Sequence, residues 1–407
     1  MTRTTQILAA AALVLTSGVA ACDHDQLNRP FGNVAIDPLF ARYVAMGNSI
    51  TAGFQSGGID SITQLQAYPV LLARAMRSPF FAPILGMPGC PPLYTNVFTQ
   101  ERASATPCAL RSIPRIPPPY ISNTAVPGAE VIDIYDNLDA AANANELTTF
   151  ILGGLTQVQM MLRGDPTFVS IWIGNNDVLG AATDFANGGD TTLITPVATF
   201  QARYAEMLDS VDRAAPRGGA LIGVANVTAI PFFSLGATYF GLKNMVPSPL
   251  PAAFTVSSNC APTGSLPGAR GDSVLVPFPY GGALLEAAED GTPTNLDCAD
   301  TVAAVVVPAE LRQLVTAVNG YNTFIQGAAA ARGWVYVDPN PTLDSLRAIP
   351  TEIAPFPAFG APCSANPFGL TFSCDAVHPS AATQRLFARK LALAINAVYG
   401  TNIPPIP

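Results

Sequence analysis

The sequence predicts an α/β protein, a three-layer α/β/α sandwich around a central parallel sheet, with one loop-rich insertion. Short apolar runs typical of buried strands alternate with amphipathic helical patterns along the chain. Such alternation is typical of parallel sheets whose two faces are covered by helices. In addition, small polar segments follow the predicted strand ends, where ligands bind in sheets of this kind.

Composition indicates a chain with a large core and no affinity for nucleic acid. The 407 residues are 49% hydrophobic and 12% charged, which is enough apolar material for one large domain or two modest ones. The net charge is −8, and nucleic-acid binding needs a basic surface. We therefore expect no nucleic-acid partner.

The N-terminus has the pattern of an export signal. Arg3 precedes an apolar stretch at 7–15, and small residues lead up to Cys22. This resembles a bacterial lipoprotein signal, which implies a signal peptide at 1–21, lipidation of Cys22 and a polar tether at 22–39. The expected location is extracytoplasmic, anchored to a bacterial membrane by lipid. An ordinary signal peptide with a chance cysteine, or a helix of the fold, are the alternatives.

The cysteines that follow Cys22 are even in number, as expected for disulfides in an exported chain. Six cysteines allow 15 connectivities, among which sequence alone does not choose. We expect sequential pairing, because each pair falls in one loop-rich stretch. A metal site is not predicted, since there is no Cys-x-x-Cys and only two histidines. The disulfide candidates are Cys90, Cys108, Cys260, Cys298, Cys363 and Cys374.

In the first half of the chain, the first strand covers 43–46 and ends at a glycine turn. A helix follows from Pro69, which suits a first helical turn. The proline-rich segment 78–120 is expected to be a long ordered loop, and such loops in compact domains are usually functional or disordered. A short strand at 121–126 and a helix at 147–162 complete this half.

In the second half, strands are predicted at 168–173, 220–225 and 334–338. The helices between and after them are predicted over 197–214, around 311–325, and from the Ser380 cap to Gly400.

The segment 231–302 interrupts this alternation and is expected to be an insertion into the sheet domain. Its first half is rich in aromatic residues, including Phe232, Phe233 and Tyr239. These side chains are expected either to pack a core of the insertion or to form a lid over an acyl chain. Its second half is rich in glycine and proline.

Two positions have the chemistry of a nucleophile and its base. Ser49 lies on a tight turn at the end of a predicted strand, which presents its hydroxyl at the sheet edge. His378 is the one histidine in the predicted folded domain, and Asp375 precedes it by three residues in a loop before a helix. A carboxylate at that spacing can contact the imidazole of the same loop.

Four short blocks, in order, resemble those of the SGNH hydrolase superfamily, also called GDSL esterases/lipases. Each lies at a strand end or in a loop before a helix. The resemblance implies a hydrolase domain of flavodoxin-like fold over 40–403, interrupted by the insertion at 231–302. The four blocks are Gly47-Asn48-Ser49-Ile50, Asn123-Thr124-Ala125-Val126-Pro127-Gly128-Ala129, Gly174-Asn175-Asn176-Asp177 and Asp375-Ala376-Val377-His378-Pro379.

The resemblance also implies residue roles. Ser49 is the nucleophile, His378 the general base and acid, and Asp375 the group that orients the imidazole. The oxyanion hole is formed by the backbone N–H groups of Ser49 and Gly128 and by the side-chain amide of Asn176. Asn48 stands where the family usually has aspartate, a departure that removes no catalytic group.

A second Gly-Asp-Ser sequence occurs at Gly271-Asp272-Ser273, but it follows a turn instead of a strand. We therefore expect Ser273 not to be a nucleophile. The sequence predicts a serine esterase or lipase that needs no cofactor and acts on small-molecule or lipid esters with an apolar acyl part. An acetyl-carbohydrate esterase, or a non-catalytic surface-binding lipoprotein, are the alternatives.

Overall fold

A four-stranded parallel sheet lies at the centre of the computed structural model, which describes residues 36–110, 120–136 and 146–407. Residues Pro38–Pro407 form one compact unit. The predicted signal peptide, Cys22 and the tether up to residue 35 lie outside the described residues. No helix in the described part of the chain is long and apolar enough to cross a membrane.

The central sheet has the strand order β1-β4-β5-β10, and all its pairs are parallel. Three two-stranded ribbons accompany it: β2 with β3, β6 with β8, and β7 with β9. The strands are β1 (Tyr43–Gly47), β2 (Tyr94–Asn96), β3 (Glu101–Arg102), β4 (Phe168–Trp172), β5 (Gly218–Ile222), β6 (Phe233–Leu235), β7 (Phe254–Val256), β8 (Leu275–Pro277), β9 (Thr294–Leu296) and β10 (Val335–Val337).

The helices connect these strands and cover the central sheet. Several begin with proline in the first turn or end at a left-handed glycine, as at Gly400. They are α1 (Ser49–Ala52), α2 (Ser61–Gln66), α3 (Tyr68–Met76), α4 (Glu146–Leu152), α5 (Gln157–Gly164), α6 (Asn176–Thr183), α7 (Val197–Asp212), α8 (Gly236–Lys243), α9 (Phe278–Glu289), α10 (Pro308–Arg332), α11 (Asn340–Arg347) and α12 (Ala381–Tyr399).

The two faces of the sheet belong to two different hydrophobic clusters, as the alternation of side chains along a strand requires. Tyr43 and Ala45 of β1 pack with α3 and α12, whereas Val44 and Met46 pack with α5, α7 and α10. Every residue of β1, β4 and β5 is buried. The predicted three-layer α/β/α sandwich is confirmed.

Three predicted elements differ from the structure. The expected strand 121–126 is reduced to a single parallel bridge between Asn123 and Ala45. The expected helix 147–162 is two helices, α4 and α5, because Gly153 and Gly154 adopt left-handed backbone angles that interrupt it. The strand expected over 220–225 is β5, which begins two residues earlier, at Gly218, and ends at Ile222.

The insertion is loop-rich as predicted, since more than half of its residues lie outside α-helices and strands, but it also has regular structure. It contains strands β6–β9, helices α8 and α9, and a cluster of buried side chains of its own that includes Tyr239. Phe232 and Phe233 are buried in the main cluster, where Phe232 packs edge-on against Phe278 at 5.2 Å between ring centroids. Of the two expectations for these aromatic residues, core packing is the one observed.

The six cysteines form three disulfides in sequence order. They are Cys90–Cys108 in the loop after α3, Cys260–Cys298 within the insertion, and Cys363–Cys374 in the loop before α12.

Candidate active site

Ser49 begins α1 directly after the first strand, and the turn between them requires glycine. Gly47 has φ of +154°, and a Cβ at this position would lie 2.4 Å from the carbonyl oxygen of Trp172 on the neighbouring strand. Asn48 then caps the short helix, because its side-chain oxygen accepts from the Ile50 N–H at 3.1 Å. The turn therefore presents Ser49 at the carboxyl edge of the sheet.

Two buried glutamines that the sequence analysis did not identify hold this turn. Gln157 of α5 donates to the Gly47 carbonyl at 2.8 Å and accepts from the Gly47 N–H at 3.0 Å. Gln384 of α12 donates to the Ile50 carbonyl and accepts from the Tyr68 N–H, both at 2.9 Å. The only signal in the sequence for these two roles was the presence of a glutamine on the buried face of a helix.

The structure brings Ser49, His378 and Asp375 into one line of hydrogen bonds. His378 Nε2 lies 2.9 Å from Ser49 Oγ, and His378 Nδ1 lies 2.8 Å from Asp375 Oδ2. The imidazole also packs against the Phe54 ring at 4.8 Å between centroids. Only 15% of the His378 side chain and 11% of the Asp375 side chain are exposed, so water has little access to the line.

Asp375 is held as a carboxylate by its surroundings. Its Oδ1 accepts from the backbone N–H groups of Val377 and His378, and its Oδ2 accepts from the Gly57 N–H at 2.7 Å. Burial alone would raise the pKa of this carboxyl. The attraction to His378 and the hydrogen bonds from His378 and Gly57 outweigh burial and lower the pKa from 3.8 to about 2.

The loop that carries Asp375 is bound to the loop that follows α1. The Ser56 N–H donates to Ser373 Oγ at 2.8 Å, and the Cys374 N–H donates to Ser56 Oγ at 3.1 Å. Ser373 Oγ in turn donates to Asp375 Oδ1 at 3.1 Å. Ser56 and Ser373 were missed by the sequence analysis, because their roles depend on contacts across more than 300 residues.

The expected oxyanion residues lie on the two segments beside Ser49. Asn176 begins α6, and its Nδ2 donates to the Ala129 carbonyl at 2.8 Å, which leaves its second hydrogen available. The turn that contains Gly128 is also attached to the Ser49 turn, since the Val126 N–H donates to the Gly47 carbonyl at 3.2 Å. Gly128 itself is exposed and has φ of +88°.

Asp177, which is buried, also holds the segment that contains Gly128. Its Oδ2 accepts from the Val131 N–H at 3.0 Å, which ties α6 to the chain after Gly128. Burial, together with the negative charge of Glu130, raises the pKa of Asp177 from 3.8 to about 7.

A cavity of about 70 Å³ opens beside Ser49 and His378. Its walls are mainly apolar and come from α6, the turn at 227–230, α11 and α12. They include Leu179, Ile230, Leu343, Leu346 and Phe387. Phe232, Phe233 and Tyr239 are not among the described residues that line it, so the expected aromatic lid does not cover this cavity.

Ser273 lies in a single helical turn of the insertion, Gly271–Ser273, and it is not among the described residues around the cavity. The neighbouring Asp272 accepts a hydrogen bond from the Thr263 N–H at 2.7 Å. Within the described residues there is no group of three or more histidine, cysteine or acidic side chains that could hold a metal ion.

Solved structures similar to this chain include two hydrolases. A catalytic mutant of an acetylxylan esterase from Geobacillus stearothermophilus is 12% identical, with a TM-score of 0.37, and the match covers 88% of this chain and 94% of that one. An extracellular lipase from Streptomyces rimosus is 17% identical, with a TM-score of 0.35 and coverage of 88% and 97%.

A phospholipase A1 from Streptomyces albidoflavus is also similar, at 17% identity and a TM-score of 0.36, with coverage of 84% of this chain and 93% of that one. No curated protein matches the chain. The family model described as GDSL-like Lipase/Acylhydrolase matches residues 43–391, which include all the residues of the hydrogen-bonded line and most of the chain. The protein therefore belongs to the GDSL-like lipase/acylhydrolase family and is a carboxylic ester hydrolase.

Proposed function

We propose that the protein hydrolyses carboxylic esters through an acyl-enzyme on Ser49. The observation that carries the proposal is the continuous line Ser49 Oγ–His378 Nε2 and His378 Nδ1–Asp375 Oδ2. An ionised carboxylate can only accept, so the Asp375 contact fixes the proton of neutral His378 on Nδ1. Nε2 is then free to accept the proton of Ser49.

The reaction has two halves. Ser49 Oγ attacks the ester carbonyl carbon while its proton moves to His378 Nε2, and the carbonyl oxygen becomes an oxyanion. The N–H groups of Ser49 and Gly128 and the free hydrogen of Asn176 Nδ2 stabilise that oxyanion. Collapse breaks the bond to the alcohol oxygen, which takes the proton from His378. Water then attacks the acyl-enzyme by the same route and releases the acid.

The substrates we propose are esters with a short acyl part, since the cavity at Ser49 is small and its walls are mostly apolar. An acetyl group also fits this cavity, and a sugar would then lie on the alcohol side of the ester, outside the apolar walls. An acetyl-carbohydrate ester is therefore the second candidate, and a panel of aryl acetate, aryl butyrate and acetylated xylose separates the two.

A serine-directed phosphonate tests the proposal directly. It should label Ser49 at neutral pH, and Ser49→Ala and His378→Ala should each lose labelling and reduce the rate for an aryl ester by roughly 10⁶-fold. Ser273→Ala is the matched control and should behave as the wild type. A labelled peptide that contains Ser273, or undiminished hydrolysis by Ser49→Ala, would refute the assignment and favour a non-catalytic protein.

We also propose that the protein is exported and held on a bacterial membrane through lipid on Cys22, on the basis of the small residues that precede this cysteine. In cells, Cys22→Ala should release the protein from the membrane fraction or leave it unprocessed. A variant of mature length that remains with membranes would contradict this proposal.

A further inference from the structure

The turn that supports Asp375 lies between the catalytic residues and the ribbon formed by β2 and β3. Gln55 and Gly58 exchange backbone hydrogen bonds at 2.9 and 3.0 Å, so the residues between them form a tight turn, the Gly57 turn. The Gly57 N–H donates to Asp375 Oδ2, the oxygen that also contacts His378 Nδ1. The position of the Gly57 turn therefore bears directly on the hydrogen bond between Asp375 and His378.

The peptide group that carries the Gly57 N–H is held at its other end by β2. Its carbonyl oxygen, which belongs to Ser56, accepts from the Tyr94 N–H at 2.8 Å. The Tyr94 ring lies directly on Gly57, which has φ of +65° and leaves no room for a Cβ. This peptide group is thus bound at both ends, by Asp375 at the N–H and by Tyr94 at the carbonyl.

Arg102 of β3 joins the Gly57 turn to the ribbon. It lies opposite Tyr94 in the antiparallel pair, and its guanidinium carbon is 3.8 Å from the centre of the Tyr94 ring. From there its Nη1 donates to the Gly57 carbonyl at 2.8 Å and to the Pro92 carbonyl at 2.5 Å. A planar guanidinium stacked on an aromatic ring holds its donors in fixed directions.

The ribbon is itself held by contacts that involve no catalytic residue. The Cys90–Cys108 disulfide closes the segment that contains both strands. Phe98, between the strands, packs edge-on against Phe278 at 5.8 Å between ring centroids. The Cys90 N–H also donates to the Ile59 carbonyl at 2.9 Å, just beyond the Gly57 turn. The ribbon can therefore fix the position of the turn.

We propose that Arg102 is a positioning residue for the reaction. Stacked on Tyr94 and bonded to the Gly57 carbonyl, it keeps the Gly57 N–H directed at Asp375 Oδ2. This inference rests on the proposed function, in which Asp375 orients the imidazole of His378 and stabilises its cation.

Loss of Arg102 should act on the geometry and on the charge of Asp375. The two backbone donors at Oδ1 remain when the turn moves, so the carboxylate stays beside His378 and loses only the hydrogen bond at Oδ2. A carboxylate held at one oxygen orients the imidazole less precisely. An oxygen that has lost a donor also stabilises protonated imidazole more strongly.

Arg102→Leu tests the proposal, because it removes the donors and keeps an apolar side chain over the ring. With an aryl acetate, kcat per active site titrated by the phosphonate should fall about tenfold, and KM should stay within about twofold. The acidic limb of the plot of kcat/KM against pH should move to higher pH by about half a unit. Arg102→Lys keeps the charge but not the planar stack, so both changes should be in the same direction and smaller.

Arg332→Leu is the matched control. Arg332 is also partly buried and donates to a backbone carbonyl, that of Ala328 at 3.3 Å. It ends α10 directly before β10, at the opposite edge of the sheet from Ser49. This variant should keep the wild-type kcat and pH profile even where it lowers the free energy of unfolding.

A purely structural role for Arg102 would lower stability and leave kcat per active site and the acidic limb unchanged, and that result would overturn the inference. Where Arg102→Leu does not fold, wild-type values in Arg102→Lys would overturn it equally. The NMR signal of the proton on His378 Nδ1 is an independent readout, which should shift in the Arg102 variants and not in Arg332→Leu. Failure of the proposed function is distinguishable, because Ser49 of the wild type would then not react with the phosphonate.

Discussion

The catalytic edge of the sheet and the insertion 231–302 are organised in opposite ways. At the edge, Ser49 and His378 are 329 residues apart, yet each lies in a short motif that ends a strand or precedes a helix. The insertion is continuous in sequence, but its short strands pair out of order, β6 with β8 and β7 with β9.

This difference explains why one region could be anticipated and the other could not. In a parallel sheet the carboxyl ends of neighbouring strands share one edge, so motifs at strand ends meet whatever their distance in sequence. Strands of three residues, such as Phe254–Val256, are too short to show a period of two. In the insertion the position of each strand depends on long-range packing around its own cluster.

The largest expected effects come from truncating one side chain in the insertion and one in the cavity wall beside the catalytic edge. Phe232→Ala removes a buried ring of the insertion and should lower the free energy of unfolding by about 3–5 kcal/mol, with the preference for acyl length unchanged. Leu343→Ala enlarges the cavity wall and should move the preference toward longer acyl chains by about tenfold, as expected for added apolar contacts. Urea unfolding and kcat/KM for acetate to octanoate esters measure both. A shift in acyl length caused by Phe232→Ala would show that the insertion shapes the substrate site after all.

Two disulfides offer the next comparison. Cys260–Cys298 spans 38 residues of the insertion and Cys363–Cys374 spans 11 residues beside Asp375. By loop-closure entropy, replacing each pair with alanine should lower the free energy of unfolding by about 4 and about 3 kcal/mol, respectively.

The loss of these two disulfides should affect activity in the opposite order to stability. Loss of Cys363–Cys374 frees the segment that positions Asp375, so kcat of the folded variant should fall about tenfold or more, as for other misplaced catalytic groups. Loss of Cys260–Cys298 should leave kcat per folded molecule within about twofold of the wild type, since stability changes remote from the site act mainly through the folded fraction. Unfolding curves and active-site titration with the phosphonate separate the two quantities. Equal kcat values for both variants would remove the positional role of Cys363–Cys374.

Much of the central fold followed from local patterns. The buried strand that ends at Gly47 and the helix between the Ser380 cap and Gly400 have strong periodicity and end signals, and both are found as predicted. The helix expected over 147–162 was wrong because a continuous apolar pattern hid the break at Gly153-Gly154. In the structure the local turn conformation of the two glycines prevails over that pattern.

In the candidate site, too, some features followed from local sequence patterns and others depended on tertiary packing. The grouping of Ser49, Asp375 and His378 was expected from motifs, and the structure brings the three side chains together. The supporting amides of Gln157 and Gln384 were not anticipated, since a glutamine on a helix has many possible partners and only the tertiary packing selects one. The sequence left open whether the insertion's aromatic residues pack a core or cover an acyl site. In the structure Phe232, Phe233 and Tyr239 lie in cores, and the cavity lies between α6, α11 and α12.

The smallest expected effect is on the pH dependence of the unfolding free energy. It should depend on Asp177 near the catalytic edge and not on the insertion. The pKa of Asp177 is raised from 3.8 to about 7 in the folded protein, so the folded state holds a proton that the unfolded state has lost. Its contribution to stability is complete below pH 3.8 and is lost as the pH rises toward 7. Between pH 5 and 6.5 the wild type should therefore lose up to about 2 kcal/mol of unfolding free energy, at about 1.4 kcal/mol per pH unit. Asp177→Asn keeps the shape of the protonated acid and should flatten this slope, whereas Asp272→Asn, an exposed change in the insertion, should preserve it. Urea unfolding at the two pH values measures the slope, and an unchanged slope in Asp177→Asn would mean that this carboxyl is already ionised when it ties α6 to the chain after Gly128.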